Sequence, residues 1–258
     1  MSDYLHKNFG LAGRRAVVTG AGRGIGRAIA EAFAAVGADV CVHYHSSKDA
    51  ANEVVAAIEK FGGKAWSFGA DLTQSSGANA LAAAAKQRWG ALDVLVNNAG
   101  DLVKRSPVAD ISDEIVEQIL RVNIHTALYS IRACTPLLKS GKQPSIINLS
   151  SVAAHHGGAN GASVYAMTKG AIHTLTRGLA KELAPEIRVN GIAPGVVTTD
   201  FHKKYTSDDA MKNIAASTPL KRNGGPEECS AAAVFLAAPG ASFITGEIIE
   251  INGGLWLA

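Results

Sequence analysis

The stretch Ala16-Val17-Val18-Thr19-Gly20-Ala21-Gly22-Arg23-Gly24-Ile25-Gly26 runs from a β-branched segment straight into a glycine-rich turn, and an Ala-rich helical segment, 26–36, follows at once. Glycine lets a backbone turn tightly and approach a ligand closely, and the free N–H groups at a helix start suit a pyrophosphate. The spacing is GxxxGxG rather than the commoner GxGxxG, and no Gly-Lys-Ser/Thr follows, which excludes a nucleoside-triphosphate loop. Alone, such a turn is weak evidence, since a tight structural corner is the alternative. Its place between a first strand and a first helix points to a dinucleotide.

Working outward, short β-branched runs at 16–19, 39–44, 65–68, 92–96, 145–149, 187–192 and 247–251 alternate with helical stretches at 26–36, 49–61, 78–88, 115–138, 164–183 and 226–236. Strand and helix in alternation call for parallel pairing, right-handed crossovers and helices on both faces of one sheet. The expected class is α/β, doubly wound, in a single domain over residues 1–258. Only 199–224, polar and Lys-rich, lacks a place in the rhythm, and it is expected to form a mobile helical flap beside the site.

Composition narrows the function. The chain of 258 residues is 47% hydrophobic and 18% charged, with a net charge of +3 and scattered Lys and Arg. Nucleic-acid binding needs a basic patch, and none is present. No run reaches the ~18 apolar residues of a membrane span. Cys41, Cys134 and Cys229 are odd in number and without CxxC spacing, as befits free thiols in a reducing cytosol. Residues 1–11 lack an apolar segment of the secretory kind, so a cytoplasmic location is expected.

An enzyme using NAD expects an acid at the end of its second strand, about 20 residues after the glycine turn, to hold the ribose 2′-hydroxyl. Asp39 begins that strand; the strand ends in Tyr44-His45-Ser46-Ser47, neutral and rich in donors, and Arg23 can reach over from the glycine turn. A 2′-phosphate is an anion, so missing acids plus an arginine favour NADP(H) over NAD(H).

Two Tyr-x-x-x-Lys pairs occur. Tyr44/Lys48 sits on the adenosine side and reads as a chance pair. Tyr165/Lys169 lies in SVYAMTKGAIHTLTRGLAKEL, where i and i+4 share a helix face, after a strand whose carboxyl end should border the nicotinamide. Ser151 precedes Tyr165 by 14 residues. A phenol titrates at about 10, and a nearby ammonium favours its ionised form. Tyr165 can then protonate a carbonyl oxygen as hydride arrives, or deprotonate the alcohol in reverse, while Ser151 donates to the same oxygen.

With TGAGRGIG at 19–26, Asp71 after the third strand, NNAG at 97–100, Asn123, Ser151, Tyr165/Lys169 and PGVVTT at 194–199 in this order, the chain resembles the short-chain dehydrogenase/reductases over nearly its whole length. The resemblance implies a seven-stranded Rossmann-like sheet of order 3-2-1-4-5-6-7 and a small carbonyl or alcohol substrate. It implies that Gly20, Gly24, Ile25 and Gly26 take part in holding the cofactor, that Asp71 and Leu72 contact adenine, and that Asn98, Ala99 and Gly100 line the ribose. Pro194, Gly195, Val197 and Thr199 would clamp the carboxamide, with Thr198 the alternative to Thr199. Lys169 would bind the nicotinamide ribose, and Asn123 would hold a water relaying protons through it. Ser150 is the alternative to Ser151. A homotetramer is implied by resemblance; the sequence itself shows an apolar terminus with Trp256. 3-Oxoacyl thioester reductases and NAD-dependent sugar or polyol dehydrogenases both remain open, as does an NADP-binding sensor without chemistry.

No metal site is expected. His43 and His45, two apart on a strand, are read as strand surface for want of further ligands. His155 and His156 either border substrate or belong to a solvated loop. The lysines of 199–224 either belong to a solvated flap or guide a phosphorylated substrate.

Overall fold

The computed structural model describes residues 3–257. Its strands are β1 (Arg15–Val18), β2 (Asp39–Tyr44), β3 (Lys64–Gly69), β4 (Val94–Asn97), β5 (Ser145–Leu149), β6 (Arg188–Pro194) and β7 (Ile248–Ile251). They form one sheet of order β3-β2-β1-β4-β5-β6-β7, parallel throughout. The order reverses between β1 and β4, and the crevice at the carboxyl ends of such strands is where a doubly wound fold takes its ligand.

Strand periodicity of two sorts the core onto the two faces. Ala16 and Val18, Val40 and Val42, and Ile147 point to one face, where they meet Ile29 and Phe33 of α2 (Gly24–Ala35), Val54 and Ile58 of α3 (Lys48–Lys60) and Leu236 of the helix Pro226–Ala237. Val17, Cys41 and Ile146 point to the other, against Leu81 of α4 (Ser75–Trp89) and Ile131 and Leu138 of the helix Thr126–Lys139. Each fully buried Ile, Leu or Phe contributes roughly 1.5–3 kcal/mol. Cys41, Cys134 and Cys229 are free and buried. At the foot of the sheet, fully buried Asp93 accepts from Arg15 Nε and Nη2, each at 2.8 Å, and from the Arg15 backbone N–H at 2.8 Å. Burial, the largest single influence, would raise that carboxyl, but the Arg15 fork and the backbone N–H groups of Lys142 and Arg15 together outweigh it and hold the group below its ordinary range.

The single helix expected over 115–138 is three pieces: α5 (Asp113–Leu120), a π-helical turn (Arg121–His125) and α6 (Thr126–Lys139). Side chains there compete for helix carbonyls. The Asn123 amide donates to Ile119 O at 2.9 Å and to Asp101 O at 2.7 Å, and Thr126 Oγ1 donates to Val122 O at 2.7 Å. A π turn inside a helix commonly marks a functional position.

The remaining α-helices are α1 (Asp3–Phe9), α7 (Ala153–His156), α8 (Ser163–Glu182), α9 (Asp200–Tyr205), α10 (Asp208–Ser217) and α11 (Pro226–Ala237). The segment 199–224 contains two short helices, α9 and α10, with Ser207 Oγ capping α10 by accepting from Ala210 N–H. Its two ends are tied by backbone bonds between Thr198 N–H and Gly224 O and between Gly224 N–H and Val196 O, both 2.9 Å. Among the described residues no helix is long and apolar enough to cross a membrane.

Candidate active site

A cleft of about 960 Å³ lies along the carboxyl ends of the strands and runs from the glycine turn to the foot of α9. At one end are Gly20, Arg23, Gly24 and Ile25. Gly20 and Gly24 have φ of +62° and +54°, a backbone region that disfavours any side chain. Gly26 does not line the cleft; a Cβ there would collide with the Asn98 amide and the Gly20 carbonyl, so its absence lets the turn pack on β4. Asn98 Nδ2 donates to Thr19 O at 2.8 Å and Gly20 O at 3.0 Å, and Thr19 Oγ1 accepts from the Asn98 and Ala99 N–H groups, each at 3.0 Å. The NNAG strand end thus holds the glycine turn, while Asn98, Ala99 and Gly100 also face the cleft.

Next along the rim stand Tyr44, His45, Ser46 and Ser47. Tyr44 is half-buried and the other three are exposed, as is Arg23. No acid replaces them. Asp71 and Leu72 do not line the cleft: Asp71 Oδ1 is engaged by Thr73 N–H and Oγ1, at 2.9 and 2.7 Å, and the Leu72 side chain is buried with Ala78 and Leu81.

At the far end the cleft is lined by Ser151, Tyr165, Lys169, Pro194, Gly195, Val197 and Thr199. Helical periodicity puts Tyr165 and Lys169 on one face of α8, with Lys169 Nζ 5.6 Å from the phenol ring centre. Lys169 is 6% exposed, and its ammonium donates to Leu149 O at 2.8 Å. Burial lowers it from 10.5 to about 8. The Ser150 hydroxyl donates to the Lys169 carbonyl at 3.0 Å and is spoken for by helix packing, whereas Ser151 Oγ accepts from Ala153 N–H and stands beside the phenol. The phenol is not depressed as the neighbouring ammonium suggested. Burial in the cleft raises it above its ordinary value, Ser151 opposes this, and the Asp101 carboxylate adds to it.

Asn123 is buried behind this group, with Oδ1 lacking a partner among the described residues. A Cβ on Gly100 would stand 2.7 Å from that oxygen and 3.4 Å from Lys169 Nζ, so glycine is what keeps the path between them open.

A family model described as enoyl-(acyl carrier protein) reductase matches residues 20–256. A solved 7α-hydroxysteroid dehydrogenase, complexed with NADH and 7-oxoglycochenodeoxycholic acid, superposes with a TM-score of 0.92 at 34% identity, covering 98% of each chain. The chain belongs to the short-chain dehydrogenase/reductase family. A family member from Methylorubrum extorquens, described as an uncharacterized oxidoreductase, is 43% identical over 248 residues, 95% of this chain and 98% of the relative. A short-chain dehydrogenase from Burkholderia cenocepacia in complex with NADP is 32% identical with a TM-score of 0.88, covering 95% of this chain and 98% of that one. Dehydrogenases using either nicotinamide dinucleotide thus occur among relatives of this fold.

For a short-chain dehydrogenase/reductase, this chain holds three further features that spacing did not disclose. His43, expected on a strand surface, is 2% exposed. Its Nδ1 accepts from Gly20 N–H at 3.2 Å and its Nε2 faces Ala70 O at 3.1 Å. The outer wall of the cleft comes from Asp101, Leu102, Arg105, Phe201 and Tyr205. Phe201 packs between Tyr165 and Tyr205, tilted to the first and edge-on to the second, with ring centres 6.0 and 5.1 Å away. His156 borders the cleft, while His155 turns away to Glu250. Three of the four lysines of 199–224 have acid partners, Lys203 with Asp200, Lys204 with Asp101 and Lys212 with Asp209, and Lys221 donates to Ala216 O, which favours a solvated surface over an anion guide.

Proposed function

We propose that this short-chain dehydrogenase/reductase uses NADP(H) to interconvert a ketone and a secondary alcohol, with Tyr165 as general acid/base. The observation that carries it is the convergence of Ser151, Tyr165 and Lys169 on one end of a cleft whose other end is the positive-φ glycine turn. Glycines that keep the floor clear, the unpartnered Asn123 Oδ1 and the ammonium of Lys169 suit a dinucleotide with its nicotinamide ribose toward α8.

The nicotinamide, when bound, supplies or accepts the hydride. Tyr165 delivers a proton to the substrate oxygen in reduction and removes one in oxidation. In the protein alone burial keeps the phenol protonated, which suits it to act as acid. The Ser151 hydroxyl donates to the same oxygen as it gains charge. Lys169, positioned by the Leu149 carbonyl, supplies the positive charge that eases loss of the phenolic proton, and Asn123 Oδ1 is placed to continue a proton path behind it. Phe201 and Tyr205 shield the reacting end from water.

The neutral rim Tyr44-His45-Ser46-Ser47 with Arg23 supports NADP(H) over NAD(H). Exposed Leu128 and Met167, on the outer sides of α6 and α8, support assembly into a homotetramer. We take residues 1–258 to act as one domain with 199–224 as its flap, in the cytoplasm. The test is a panel of ketones and secondary alcohols followed at the nicotinamide absorbance with each dinucleotide. Turnover favouring NADP(H) in kcat/KM is expected. A more than tenfold preference for NAD(H) would overturn the cofactor assignment, and no turnover anywhere in the panel would favour a non-catalytic sensor.

A further inference from the structure

Two turns along α8 from Tyr165, three elements bring together groups that no role in the cleft explains. His155 of α7, His173 of α8 and Glu250 of β7 each present a ligand atom, a ring nitrogen or a carboxylate oxygen, and these atoms lie within 4.8 Å of one another. His155 Nε2 and Glu250 Oε1 are 2.7 Å apart, so a hydrogen-bonded pair accounts for two of the three groups. It leaves the third unaccounted for. His173 is only 7% exposed, its Nε2 has no partner among the described residues, and its ring stands edge-on to His155 with centres 4.9 Å apart. A buried polar nitrogen left unpaired carries its full desolvation penalty, so a sequence that keeps one there invites a ligand.

We infer that His155, His173 and Glu250 form a binding site for a divalent transition metal ion of the zinc type, which clasps α7, α8 and β7 one helical turn from Lys169. Two imidazoles and one carboxylate suit zinc, cobalt or nickel and not magnesium or calcium, which prefer all-oxygen shells. Outer partners that orient ligands are already in place. Glu250 Oε2 accepts from Asn252 Nδ2 at 3.0 Å, and the same amide donates to Trp256 O at 3.0 Å. The Trp256 ring stacks on His155, with centres 5.2 Å apart and planes 10° from parallel. The ion therefore ties the chain end to the helix that carries Lys169, one turn before His173. Coordination replaces the His155–Glu250 hydrogen bond and releases its proton to solvent. Lys169 and Arg177 lie one turn to either side of His173 and add positive charge, so Glu250 is the carboxylate that offsets the ion.

The test uses the full chain stripped of metal by chelation. Titration with zinc chloride in a calorimeter is expected to show one saturable ion per chain, and cobalt chloride to give a visible d–d band of low coordination number. His155→Gln, His173→Gln and Glu250→Gln should each weaken zinc binding by about tenfold or more and remove the cobalt band. Circular dichroism identifies the variants that fold, and Glu250→Gln, which keeps the shape of its side chain, serves if either histidine variant does not. No saturable zinc binding by the parent chain overturns the inference. So does zinc binding that the folded variants leave unchanged, since the ion then sits on other histidines.

Discussion

His43 Nδ1 accepts a hydrogen bond from the backbone N–H of Gly20, at 3.2 Å, and so props the first glycine of the glycine-rich turn from beneath. An imidazole can accept there only while that nitrogen is bare, which fixes the tautomer with the proton on Nε2, facing Ala70 O at 3.1 Å.

The pH dependence of stability follows. Burial first, then the like charge of His45, lowers His43 from 6.5 to about 4, despite the opposing Ala70 carbonyl. A base whose folded value lies below its unfolded one contributes its full stability above the unfolded value, and loses it as pH falls toward the folded one. Between pH 6.5 and about 4 the urea midpoint should therefore drop, with His173 and His202, both lowered to about 4 by burial, adding to the slope. His43→Gln, which retains polar atoms without the titration, should make that slope shallower. An unchanged slope would remove His43 from the account.

Arg23 stands exposed on the rim at the start of α2, beside the neutral end of β2. A hydrogen bond to a charged group contributes about 1.5–3 kcal/mol. Arg23→Ala should accordingly lower kcat/KM for NADP+ by about 10–100-fold while changing that for NAD+ little. Equal losses with both dinucleotides would mean that Arg23 does not read the 2′-phosphate.

Burial of Lys169 weighs against the fold at neutral pH. Its folded value of about 8, lowered by burial from 10.5, means that folding penalises its ammonium at neutral pH. The penalty lessens as pH rises through 8 and is gone above 10.5, where both states are neutral. Lys169→Met should raise stability at pH 7 by about 1–2 kcal/mol, read from urea denaturation, and lower turnover at least about 100-fold. A destabilised variant would show that the bond to Leu149 O outweighs the burial of the charge.

Much of this was legible in residue order. β-branched runs alternating with Ala-rich segments dictate a parallel sheet with helices on both faces, and the glycine turn after β1 and the helical spacing of Tyr165 and Lys169 place both ends of the cleft. The gaps have physical causes. In a parallel sheet covered on both faces a strand reads as buried throughout, so nothing in DVCVHY separates a surface histidine from the buried His43. A π-helical turn has the composition of an α-helix, and the break at Asn123 depends on the carbonyls its amide captures. Asp71 keeps its family position while its carboxylate closes a turn with Thr73. His155 and Glu250 are 95 residues apart and meet only after β5 and β7 flank β6, so no spacing discloses them.

The central claim is that the Tyr165 hydroxyl transfers the proton, and Tyr165→Phe removes that hydroxyl while keeping the ring packed against Phe201. Turnover and NADP+ affinity of this variant should be measured side by side on one preparation, with an alcohol that the parent enzyme oxidises. A fall in kcat of about 10²–10⁴-fold with cofactor affinity nearly intact is predicted. A kcat within a few-fold of the parent, with the dinucleotide still bound, would contradict it.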